Sequence, residues 1–127
     1  MRPPGSPDDL PLIACLCAQW CGSCRDYRAV FDSLERHFAG RARFRWVDVE
    51  DEDVLGPLDI ENFPTLLVVA ARRAHGETPA VHFYGPVTPQ PQTAVRIVHR
   101  ALLGELPAVA DPQVQALAQR VAALATV

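Results

Sequence analysis

The sequence has 127 residues, 49% of them hydrophobic, and a formal net charge of −3 at pH 7. That length supplies one core and leaves no room for two comfortable domains, and the mild acidity gives no electrostatic footprint for nucleic acid or an anionic membrane. No apolar run approaches the roughly 20 residues that cross a bilayer, and MRPPGSPDDLPL places prolines and acids where a signal peptide needs a continuous apolar stretch, so a cytoplasmic location is expected.

Residues 1–9 read as a flexible lead-in. Leu10 to Ala18 is mostly apolar and too short for a buried helix, which predicts a buried strand. From Gly22 the period changes: Tyr27, Val30, Phe31, Leu34 and Phe38 recur at three- and four-residue steps, the apolar face of a helix that Gly40 stops. Ala42 to Val49 predicts a second strand. The local row Arg41, Arg43 and Arg45 at its start reads as a solvated edge, since alternate strand residues share a face. Glu50, Asp51, Glu52 and Asp53 suit the first turn of a short helix, where acids complement the dipole.

Glu61 to Pro64 forms a turn before a third strand, Thr65 to Ala70. Arg72 to Pro79 reads as a hairpin loop that returns as the strand Ala80 to Tyr84, broken by Gly85 and Pro86. Thr93 to Leu103 predicts a helix with Val95, Val98 and Leu102 inward, closed by Gly104. Asp111 and Pro112 then cap a last amphipathic helix marked by Val114, Leu117, Val121 and Leu124 and reaching Thr126. The order β-α-β-α-β-β-α-α implies an α/β fold with a central mixed sheet flanked by helices.

All four cysteines, Cys15, Cys17, Cys21 and Cys24, fall within LIACLCAQWCGSCRDY. In a reducing compartment such clusters are more often catalytic or metal-binding than structural. Cys21 stands where a strand ends and a helix begins, so helix-start amides and the dipole favour its thiolate, the form that attacks a disulfide. Cys24 lies one turn further on, within reach of Cys21 and deeper, and would resolve a mixed disulfide formed there. Gly22 suits a tight turn between them.

WCGSC after an apolar strand, with Phe63-Pro64-Thr65 about forty residues later before another strand, resembles the thioredoxin superfamily. The resemblance covers roughly Leu10 to Leu103, making residues 10–104 a thioredoxin-like domain and 105–127 its C-terminal helical extension. It implies that Cys21 and Cys24 are the redox pair and that Pro64 is a cis-proline whose neighbouring backbone pairs with an extended substrate segment. Trp20, Gly22, Ser23, Phe63 and Pro64 would form the substrate surface. It further implies a thiol-disulfide oxidoreductase acting on protein disulfides, with no bound cofactor and with a reductase or small thiol to recycle it.

The chain departs from that pattern. A buried Asp expected six residues before the first active cysteine is Cys15, and the Lys that partners it falls near Trp46. A tryptophan expected four residues before that cysteine is Cys17, and Ser23 replaces a common proline, which loosens the turn. Cys15 and Cys17 share a strand face, as core residues or as auxiliary thiols. The N-terminal strand and helix of full thioredoxins are expected to be missing, and the last helix to cover the surface they leave. Two other functions fit parts of the pattern: a thioredoxin-like binding or chaperone module without turnover, and a four-cysteine metal site. The buried-strand position of Cys15 and Cys17 argues against the latter, and His37, His75, His82 and His99 show no ligand spacing with the cysteines.

Overall fold

The computed structural model describes residues 10–51, 53–60, 62–71 and 80–125. The lead-in, the Arg72–Pro79 segment with His75, and Thr126 lie outside the described residues, as do Glu52 and Glu61. Four strands, β1 (Leu12–Cys17), β2 (Arg43–Asp48), β3 (Thr65–Val69) and β4 (Val81–Pro86), form one sheet in the order β2-β1-β3-β4. β1 runs parallel to β2 and antiparallel to β3, and β3 is antiparallel to β4, so the sheet is mixed. β1 and β3 are central and buried along their whole length, which is why both are nearly continuous apolar runs. The parallel pair requires a crossover, supplied by α1 (Gly22–His37); α2 (Pro91–Leu102) and α3 (Pro112–Ala125) complete the layers.

Alternation along β1 splits the core in two. Ile13, Cys15 and Cys17, with Leu66 and Val68, face Cys24, Tyr27, Phe31, Leu34 and Phe38 of the α1 segment and Ala94 and Val98 of α2. Leu12, Ala14 and Leu16, with Leu67, Val69 and Val81, face Val114, Leu117, Ala118 and Val121 of α3. The last helix therefore covers the second sheet face. Asp111 caps it, its Oδ1 accepting the Gln113 amide at 2.8 Å.

Three expectations need correction. No helix stands between β2 and β3 among the described residues: Asp48 Oδ1 accepts the Glu50 amide, Gly56 takes φ +56°, and Arg120 of α3 donates from Nε to the Val54 carbonyl and from Nη2 to that of Leu55 at 3.0 Å. A helix would spend those carbonyls internally; here a residue of a distant helix takes them. Gly85 and Pro86 do not break β4 but pair with Leu66 and Thr65, because β4 is an edge strand whose second side needs no donor. β2 is an edge strand, but Arg43 and Arg45 are half-buried rather than solvated. The inward face expected of α2 holds: Ala94 and Val98 are buried, and Val95 and Leu102 pack half-buried against the same core layer.

Candidate active site at the start of α1

β1 ends at Cys17 and the chain turns through Ala18, Gln19 and Trp20 into Cys21, the N-cap of α1. The turn is closed by the Cys21 amide donating to the Ala18 carbonyl at 3.1 Å. Arg25 Nη1 donates to the Gln19 carbonyl at 3.1 Å, and Gln19 Nε2 to Asp51 Oδ2 at 3.3 Å, so the helix and the segment after β2 both brace this turn. Asp51 serves this contact rather than a helix start. Gly22 is the first helical residue and has no positive φ; a Cβ there would meet only the Arg25 guanidinium, at 3.8 Å, so the expected tight-turn role is absent.

The two thiols of the motif differ in environment. Cys21 is half-buried, and its thiol is held below the ordinary range chiefly by the Cys24 backbone amide, with help from the Cys24 thiol and from Ser23. Cys24 is 2% exposed, and its thiol is pushed up by burial first and then by the Cys17 thiol beside it. One group is poised as a thiolate at the surface; the other is a protonated thiol beneath it.

Trp20, 66% exposed, stands edge-on to Phe63 at 5.8 Å between ring centroids. Phe63 joins the buried Pro64 through a cis peptide bond, and Thr65 Oγ1 donates to the Asn62 carbonyl at 2.7 Å, tying down that loop. Trp20, next to Cys21 in the chain, and Phe63, which packs with Cys21 against the same core layer, thus form an apolar rim at this site, with Ser23 exposed on the helix.

Cys15 and Cys17 are both buried, with their Sγ atoms 3.6 Å apart. The Cys17 thiol is raised mainly by Cys15 and then by burial. Cys15 is in register with Trp46, which packs edge-on to Phe31 and carries the Arg28 guanidinium 4.7 Å over its ring. Apolar surface and thiols therefore make up the layer beneath Cys24 except at Asp48, which lines the same cavity. Among the described residues no group of three or more His, Cys, Asp or Glu is gathered as a metal ion would need. His82 is taken up by the Leu106 carbonyl, 3.0 Å from Nδ1.

Sequence reasoning missed Arg25 and Asp48. Asp48 is the register partner of Cys17 and shares with it, Cys24 and Trp46 the wall of a cavity of about 210 Å³. The strand period alone would have set Asp48 on that face.

The family model named Thioredoxin matches residues 7–84, more than half of the chain. The chain belongs to the thioredoxin family. Thioredoxin from Haemophilus influenzae is 31% identical over 62 residues, which is 48% of this chain and 58% of that protein. The chloroplastic thioredoxin M3 of Oryza sativa subsp. japonica is 33% identical over 61 residues, 47% of this chain and 35% of that protein. The chain thus spans about a third to three-fifths of these relatives. Among solved structures, the germline-specific thioredoxin Deadhead of the fruit fly Drosophila melanogaster superposes with a TM-score of 0.60 at 17% identity, over 75% of this thioredoxin-family chain and 84% of that one. This likeness is one of fold.

Proposed function

We propose that this thioredoxin-family protein is a thiol-disulfide oxidoreductase that acts on protein disulfides. The observation that carries the reading is the asymmetry of its thiols: Cys21 accessible with a lowered pKa, Cys24 buried one turn on with a raised one. The Cys21 thiolate attacks one sulfur of a substrate disulfide, and the other substrate sulfur leaves as thiolate. The Cys24 thiol, losing its proton as it reacts, then attacks Cys21 Sγ; the reduced substrate leaves and a Cys21–Cys24 disulfide remains. Trp20 and Phe63 offer the apolar rim on which an extended substrate segment lies, next to Pro64. A reductase or small thiol returns the pair to the dithiol, and a cytoplasmic location follows from the same reading, since the exchange is then fed by a reducing pool.

Insulin disulfide reduction in a glutathione redox series tests the proposal. Wild-type protein is expected to turn over, Cys21→Ser to lose turnover, and Cys24→Ser to accumulate a mixed disulfide with insulin. The measured potential, within the roughly −270 to −120 mV spanned by related dithiols, states the direction of flow. A Cys21→Ser variant with full activity refutes the assignment.

A further inference from the structure

Cys17 and Cys24 meet from different elements. Cys17 ends β1 and Cys24 lies in the first turn of α1; both are 2% exposed, and both line the 210 Å³ cavity whose wall also holds Trp46 and Asp48. The Cys17 thiol lies 3.6 Å from that of Cys15, Sγ to Sγ, and the Cys17 and Cys24 thiols influence each other's ionisation. Burial sorts the four sulfurs: Cys21 is half-buried, Cys24 and Cys17 are 2% exposed, and Cys15 is fully buried.

Not every neighbouring pair among them can bond. Cys15 and Cys17 are alternate residues of one strand, so their Cβ atoms point the same way and stand about 6.6 Å apart. A disulfide needs Cβ atoms about 3.5–4.5 Å apart. Cys17 and Cys24 come from a strand and a helix that line one cavity and share one core layer, so the fixed spacing of a single strand does not separate them.

We propose that Cys17 is a third redox thiol, and that a Cys21–Cys24 disulfide rearranges to a Cys17–Cys24 disulfide, freeing Cys21 while the chain stays oxidised. This rests on the function proposed above only for the origin of the first disulfide. Cys17 gives up its proton to solvent, its sulfur attacks Cys24 Sγ, the Cys21–Cys24 bond breaks, and its electron pair leaves on Cys21. One S–S bond is lost and one formed, so no oxidant or reductant is consumed.

The two ends of the exchange pull differently. The amide environment that stabilises the Cys21 thiolate makes it a good leaving group and favours the rearranged form as pH rises. The buried Cys17 thiol resists ionisation, which makes the step slow, on the minutes-to-hours scale of uncatalysed disulfide rearrangement. A chain in this state has a free nucleophile and an occupied resolving thiol. It captures a substrate disulfide and does not release it.

The test is peptide mapping. Wild-type protein is oxidised with one equivalent of oxidised glutathione, held at alkaline pH, blocked with N-ethylmaleimide and cut with chymotrypsin. Cleavage after Leu16, Trp20 and Tyr27 separates Cys15, the Cys17–Trp20 peptide and the Cys21–Tyr27 peptide. The expected product is the Cys17–Trp20 peptide linked through Cys24, with Cys21 alkylated, in a share that grows with time and pH. Cys17→Ala is expected to retain only the internal Cys21–Cys24 loop. In Cys21→Ser, three thiols remain of the four, and treatment with oxidised glutathione is expected to leave one. A wild-type map holding only the Cys21–Cys24 loop, a Cys15–Cys17 link, or a Cys21→Ser variant that keeps all three thiols overturns the proposal. Insulin turnover without the linked peptide leaves the oxidoreductase standing and removes the third thiol. The linked peptide in Cys21→Ser without wild-type turnover does the reverse.

Discussion

Arg120→Met tests how the segment after β2 is held. Arg120 is half-buried on α3, and its guanidinium donates to the carbonyls of Val54 and Leu55 while lying against Gly56, where an added Cβ would come within 3.1 Å of Nη2. Methionine keeps the apolar stem and removes both donors. Each hydrogen bond to a charged donor contributes about 1.5–3 kcal/mol, and water reaches part of this site, so a loss of about 3 kcal/mol is expected rather than the full sum. For a chain of this size that lowers Tm by on the order of 10 °C. Urea unfolding followed by circular dichroism should show the midpoint falling with the slope m unchanged. Arg120→Lys, with one compact ammonium in place of the fork, should recover less than half of the loss. A methionine variant within about 0.5 kcal/mol of wild type would mean that residues 53–60 are held by Val54 burial alone, and the reasoning would be wrong.

Alkylation of Cys21 by iodoacetamide should reach half its maximal rate at a pH below the ordinary thiol range, because the Cys24 amide favours the thiolate; Cys24 should remain unreactive through the same pH window. The sign for stability follows: a lowered folded pKa means that reduced wild-type protein gains stability over Cys21→Ser as pH rises from that pKa toward the unfolded value near 8.5, and loses it as pH falls back, measured as paired urea midpoints. Leu117→Ala, at a fully buried position of α3, should cost about 2–5 kcal/mol by the same unfolding assay. Trp20→Ala should cost less than about 1 kcal/mol of stability, since the ring is mostly exposed, yet raise KM for insulin several-fold through loss of the rim it forms with Phe63.

Local pattern made much of this molecule legible. The apolar run of β1 announced a strand buried on both faces, and the period of two put Cys15 and Cys17 on one side of it, where the structure has them. The expected neighbourhood of Cys15 and Trp46 corresponds to a register pair. The helix expected after Val49 fails for a reason no local pattern carries: its carbonyls are claimed by Arg120, 65 and 66 positions away. Gly85 and Pro86 read as a break because their propensities are judged without knowing that β4 has a single neighbour. Asp51 read as a helix-start acid and Arg25 drew no reading; their contacts to Gln19 arise only when the chain folds back on the turn.

The alternation along β1 works like a reading frame. One parity carries the sulfurs, Cys15 and Cys17; the other carries Leu12, Ala14 and Leu16, which seat α3. Substitutions of even-numbered residues can be explored for stability with little reach into the thiol layer. A single deletion between Leu12 and Cys15 shifts the frame of the residues that follow, turning the sulfurs toward α3 and Leu16 toward the thiol layer, so this short strand tolerates replacement far better than a change of length.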